Sequence, residues 1–183
     1  MDSSSESVVS SLGSFAEMLS DPEGYDPERL KSLSVGVPSL LSSFIEAMLS
    51  SDEDVMKRSL TDLEDYASVV NSVQAWFNLG RLAHHLFFHQ AAIEYYSNAS
   101  DLAQILSDDD SLARILLSLG ALYGEEEDWA RACQCYEKAL VAIDMVKRPH
   151  LLPQVLERLG RARRQQGEYH QAQICYSRIL EVL

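Results

Sequence analysis

From residue 73 onward, large apolar side chains recur at helical spacing and break off at short polar stretches. Trp76 and Leu79 fall on one face of a helix, and Tyr96 and Ala99 do the same on the next. Between them lies the run His84 to His89, and Gly80 sits inside the first helix. That helix-interior glycine costs about 1 kcal/mol relative to alanine, so it needs a reason.

The reason is repetition. Gly80, Gly120 and Gly160 are each preceded by leucine (Leu79, Leu119, Leu159) and share a 40-residue spacing. Each is followed at a fixed offset by alanine (Ala92, Ala132, Ala172) and then by tyrosine (Tyr96, Tyr136, Tyr176). Ala99, Ala139 and Ile179 close the columns. A repeat of this length reads as two antiparallel helices, with the glycine where they cross closely and the large residues, Trp76 and Trp129 among them, filling space between hairpins. Asp108 to Asp110 and their flanking serines supply helix caps before the second unit. Pro149 and Pro153 break the chain before the third. Glu125–Asp128 and Gln165–Glu168 are the turns inside the second and third units.

These columns resemble the tetratricopeptide repeat: Trp76, Leu79, Gly80, Ala92, Tyr96, Ala99; then Leu116, Leu119, Gly120, Tyr123, Ala132, Tyr136, Ala139; then Leu156, Leu159, Gly160, Ala172, Tyr176. Ala83 and Arg163 depart from it at the first-helix aromatic position, Ile179 replaces the last small residue, and the period is longer than the common form. The resemblance implies an all-α, right-handed superhelical array of helix hairpins, with units at 73–112, 113–152 and 153–183. Residues 27–72 are expected to form a helical hairpin capping the array, with helices over Pro38–Leu49 and Asp54–Val70. Residues 1–26 are expected to be part disordered, with Ser-rich residues 1–7 leading into a helix over Val8–Leu19 and a turn at Asp21–Gly24. The apolar run from Tyr176 to Leu183 predicts a longer parent chain or self-association through the last helix.

Charge narrows the partners. Residues 1–75 hold fourteen acidic and four basic side chains, and the whole chain has a formal net charge of −13. Nucleic-acid binding needs a basic face, so it is set aside. No secretory leader or membrane-length apolar run is found, and the three cysteines have no framework spacing. These features imply a cytoplasmic or nuclear setting and core thiols.

The chain reads as non-enzymatic, without catalytic residues, cofactor or metal. His85 and His89 lie four apart, but no cysteine or carboxylate near them in sequence completes a tetrahedral set. The resemblance instead implies a concave groove lined by first-helix residues: Gln74, Phe77, Asn78, Arg81 and His84; then Arg114, Leu117 and Ser118; then Gln154, Arg158, Arg161 and Arg164. Arginine forks pair with carboxylates, so the expected partner is a protein with an acidic segment. At the positions where chaperone-binding members clamp a terminal carboxylate, only Arg158 matches. The alternative reading is an assembly or autoinhibitory segment of a larger enzyme or signalling protein, in which the acidic N-terminal region competes for the groove.

Overall fold

The computed structural model describes residues 3–20, 39–50, 52–146 and 151–182, and among them every regular element is an α-helix. In chain order these are α1 (Ser3–Ser20), α2 (Ser39–Ser50), α3 (Glu53–Val70), α4 (Val73–His85), α5 (His89–Ile105), α6 (Asp109–Glu125), α7 (Trp129–Val146), α8 (Leu152–Gln165) and α9 (Tyr169–Val182). The fold is all-α and built of helix hairpins, as the repeat columns require. The expected turn at Asp21–Gly24 and the breaks at Pro38 and Pro149 lie outside the described residues.

The hairpin turns share one hydrogen-bonding scheme. After α4, the Phe88 N–H reaches back to the Ala83 carbonyl at 2.9 Å and the Phe87 N–H to that of His84 at 3.0 Å. The same pair of bonds closes α6 at Asp128 and Glu127, and α8 at Glu168 and Gly167. This is the Schellman arrangement, which satisfies the last carbonyls of a helix by putting one residue in the left-handed region. That residue is Phe87 (φ 61°), Glu127 (φ 59°) or Gly167 (φ 81°), and only Gly167 takes the conformation without a side-chain penalty. The link between α5 and α6 ends the same way, with Ser107 at φ 54°. Asp108 then caps α6 by accepting from the Ser111 N–H at 3.1 Å, and Asp128 accepts from the Arg131 N–H at 3.0 Å. The acidic residues at these helix starts thus satisfy free backbone donors. Pro153 stands in the first turn of α8, where its missing N–H costs nothing.

Two compact units are present, Met1–Tyr95 and Tyr96–Leu183. In the second, α6 packs on α7 and α8 on α9. Each crossing is set by a glycine under a tyrosine ring. A Cβ on Gly120 would stand 2.6 Å from Tyr136 Cε1, and one on Gly160 would stand 2.8 Å from Tyr176 Cε1. Leu119, Leu122, Ala132, Ala139, Leu156, Leu159 and Ala172 close the core around these contacts. The link between α7 and α8 includes an ion pair of Arg163 with Glu137 at 2.7 Å. Arg163 holds the column where the repeat pattern expects an aromatic, so a half-buried charged brace replaces a ring there.

In the first unit α1 lies against α4, while α2 packs on α3 and α3 on α4. Helix α1 begins at Ser3, earlier than the Val8 expected and within the Ser-rich lead read as disordered. Its buried stripe of Val8, Val9, Leu12, Phe15 and Ala16 explains the order, since apolar burial offsets the cost of fixing the serines. Phe15 meets Phe44 of α2 edge to face at 6.1 Å. Tyr95, at the start of α5, donates its hydroxyl to Glu64 of α3 at 3.0 Å, and Trp76 lies 6.0 Å from the Tyr95 ring.

The glycine seats give a direct test. Gly120→Ala is expected to lower stability by about 1–3 kcal/mol in urea unfolding, although alanine is the better helix former. Gly124→Ala, whose Cβ would come no closer than 3.3 Å to Trp129, is expected to change it far less.

Candidate functional site

The expected groove residues of the first unit are split by burial. Gln74 is exposed, and Phe77, Arg81 and His84 are half-buried. Asn78 is only 1% exposed, and its burial corrects the expectation that it faces an open groove. Its Nδ2 donates to the Val9 carbonyl of α1 at 3.0 Å, while its Oδ1 accepts from Gln74 Nε2 at 2.8 Å. A Cβ on Gly13 of α1 would stand 2.9 Å from that Nδ2. So α1 covers the face of α4 that carries Asn78, and a small residue lets it approach.

In the second unit Arg114, Gln154, Arg161 and Arg164 are exposed, and Ser118 is half-buried with its hydroxyl on the Arg114 carbonyl at 3.1 Å. Leu117 is buried in α6, with 7% of its surface exposed. Arg114 pairs with Asp110 at 3.2 Å and Arg161 with Glu157 at 3.3 Å, both across one helical turn at the surface. Exposed pairs of this kind contribute little and re-form easily.

Arg158 and Arg161 come together at a pocket of about 160 Å³, walled by Trp129 and Tyr136 and completed by Ala121, Gly124, Glu125 and Ala162. Burial pushes the Tyr136 phenol up, opposed by the positive charge of nearby Arg158. The pocket therefore joins two cations, two aromatic walls and one carboxylate. The third-unit arginines were legible as a stepped series along one helix. Trp129 and Tyr136 read as spacers between hairpins, and only the crossing of the helices shows that their rings also form a wall.

His84 stacks on His85 at 5.9 Å and meets His89 edge-on at 6.2 Å, at the end of α4 and the start of α5. Among the described residues, no group of three or more His, Cys, Asp or Glu side chains is placed to hold a metal ion. No described helix is long and apolar enough to cross a membrane. Cys133, Cys135 and Cys175 are free, buried thiols, and Cys133 donates to Gln166 Oε1 at 3.4 Å.

A family model described as tetratricopeptide repeat matches residues 71–142. Among solved structures, BtubC from P. vanneervenii is similar with a TM-score of 0.62 at 21% identity, over 98% of this chain and 88% of that one. MamA is similar with a TM-score of 0.57 at 19% identity, over 83% of this chain and 82% of that one. A signal-transduction ATPase with a tetratricopeptide repeat sensor, from Pyrococcus horikoshii, gives 0.62 at 15% identity, over 85% of this chain and 26% of that one. At these identities the likeness concerns the fold. No curated protein matches in sequence.

The buried thiols carry a pH signature. Burial pushes Cys133 and Cys135 up from 9.0 to about 11. The unfolded thiols ionise first as pH rises, so stability is intact below pH 9.0 and falls as pH climbs toward about 11. Thermal unfolding across that window is expected to show a steeper fall for the natural chain than for the Cys133→Ala/Cys135→Ala variant.

Proposed function

Because residues 71–142 match a tetratricopeptide repeat model, we propose that the chain is a non-enzymatic interaction scaffold that binds an acidic segment of a protein partner. One observation carries this reading: a chain of net charge −13 gathers Arg158 and Arg161 at an aromatic-walled pocket. An ordinary solvated arginine face has no such walls. Guanidinium groups next to aromatic rings sit in a lower dielectric than open water, which strengthens a charge-assisted bond to a carboxylate. A preformed helical surface also binds an extended or helical segment without the cost of ordering itself. The reading places the chain in the cytoplasm. It also includes self-association through α9, where Ile174 and Leu180 are exposed.

A second reading, an autoinhibitory segment, is favoured by the seat of α1 on α4. The Asn78 amide that the repeat register assigns to a ligand is taken by the Val9 carbonyl. In this reading α1 holds part of the ligand surface until a partner displaces it.

Affinity capture from cell extract, compared by mass spectrometry, tests the first reading. The Arg158/Arg161/Arg164→Glu chain is expected to lose specific partners while keeping its helical circular dichroism. An unchanged partner list rejects the arginine surface. The second reading is tested by Gly13→Leu, which drives a larger side chain into Asn78 and unseats α1. Recovery of the same partners is expected to rise, and equal or lower recovery counts against autoinhibition.

A further inference from the structure

The pocket beside α8 is more selective than a general basic surface. Its volume of about 160 Å³ admits the end of one side chain, not a folded element. Arg158 is half-buried in the lining beside Tyr136, and its planar guanidinium carries five donors, enough for a two-pronged grip on one carboxylate. Tyr136 itself cannot drift, because its ring is seated over Gly120. Arg161 pairs with exposed Glu157, a surface contact that re-forms easily when the side chain turns toward the pocket. The pocket thus offers one half-buried fork, with a second cation able to join it.

The walls decide which anion fits. Trp129 and Tyr136 make aromatic walls, which suit methylene groups rather than a hydrated anion at the opening. Glu125 contributes a negative charge to the lining, so a dianionic phosphate would meet repulsion that a single carboxylate meets only weakly. A chain terminus would have to bring its last peptide unit between the rings, leaving backbone polar groups against apolar walls. An aspartate has one methylene less with which to reach the fork from outside.

We propose that this pocket is a glutamate-reading subsite: one Glu side chain of a bound peptide enters between Trp129 and Tyr136 and is held by the Arg158 fork with Arg161. This rests on the acidic-segment reading above and narrows it from a charge preference to a residue preference. The partner is an extended peptide or helix carrying a glutamate flanked by uncharged positions.

The test uses the full chain and four acetylated heptapeptides with Gly-Ser flanks. Three are amidated and carry Glu, Gln or Asp at the centre; the fourth carries Gln and a free C-terminal acid. Binding is read from the Trp129 indole N–H and arginine Nε–H resonances in two-dimensional NMR. The Glu peptide is expected to bind about tenfold more tightly than the Gln peptide, the difference one charge-assisted pair makes. Asp is expected to fall between them, and the free acid to gain nothing over amidated Gln. Arg158→Gln should erase the Glu preference, and Arg158→Lys should keep only part of it, since a lysine cannot present the fork. Equal binding of Glu and Gln, tighter binding of the free acid, or no shift of the Trp129 resonance at millimolar peptide overturns the subsite. If the subsite fails while the triple charge-reversed chain still loses its partners, the broader acidic-segment reading stands. If the triple variant keeps its partners, that reading fails instead.

Discussion

The contact on which the second unit depends is a tyrosine ring lying where a side chain would otherwise be. Gly120 under Tyr136 and Gly160 under Tyr176 bring the paired helices close enough for leucines and alanines to close the core. Dispersion falls off steeply with separation, so a spacing enlarged by one methyl group would weaken every contact along the crossing. The same seat reaches into the candidate site. The Tyr136 ring seated on Gly120 also lines the pocket beside Arg158, so a packing requirement of one hairpin sets a wall of the site.

Helix α8 shows how arginines in one helix take different work. Arg163 is turned toward α7 and braces it through Glu137, replacing the aromatic the repeat pattern expects. Arg161 is balanced by Glu157 one turn away, and Arg158 lines the pocket beside Tyr136. Spacing along the sequence suggested a uniform basic face. Burial and neighbours divide it into a brace, a surface pair and a half-buried pocket-lining fork, and only the last has the features of recognition.

What was legible in the sequence was whatever repeats or is local. The glycine, alanine and tyrosine columns gave the hairpins, and Asp108 and the Glu125–Asp128 turn gave boundaries, because caps and turns are decided by a few adjacent residues. What escaped depends on elements meeting across long separations. The burial of Asn78 follows from α1, whose position has no periodic trace, and Leu117 is buried although its column is a ligand-facing one in the repeat register. The pocket walls escaped for a similar reason, since a ring's second role as a lining is set by the helix that arrives opposite it.

The bond from Asn78 to the Val9 carbonyl joins residues 69 positions apart, whereas each hairpin closes through a turn of a few residues. Closing the longer loop requires more chain entropy to be given up before any contact is gained. Helix α1 is synthesised before α4, and its seat there does not exist until residues beyond Asn78 have been added. Until then its apolar stripe lacks the α4 face that covers it. Helix α1 therefore waits for α4 before it can dock, and in that interval the stripe is open to a chaperone.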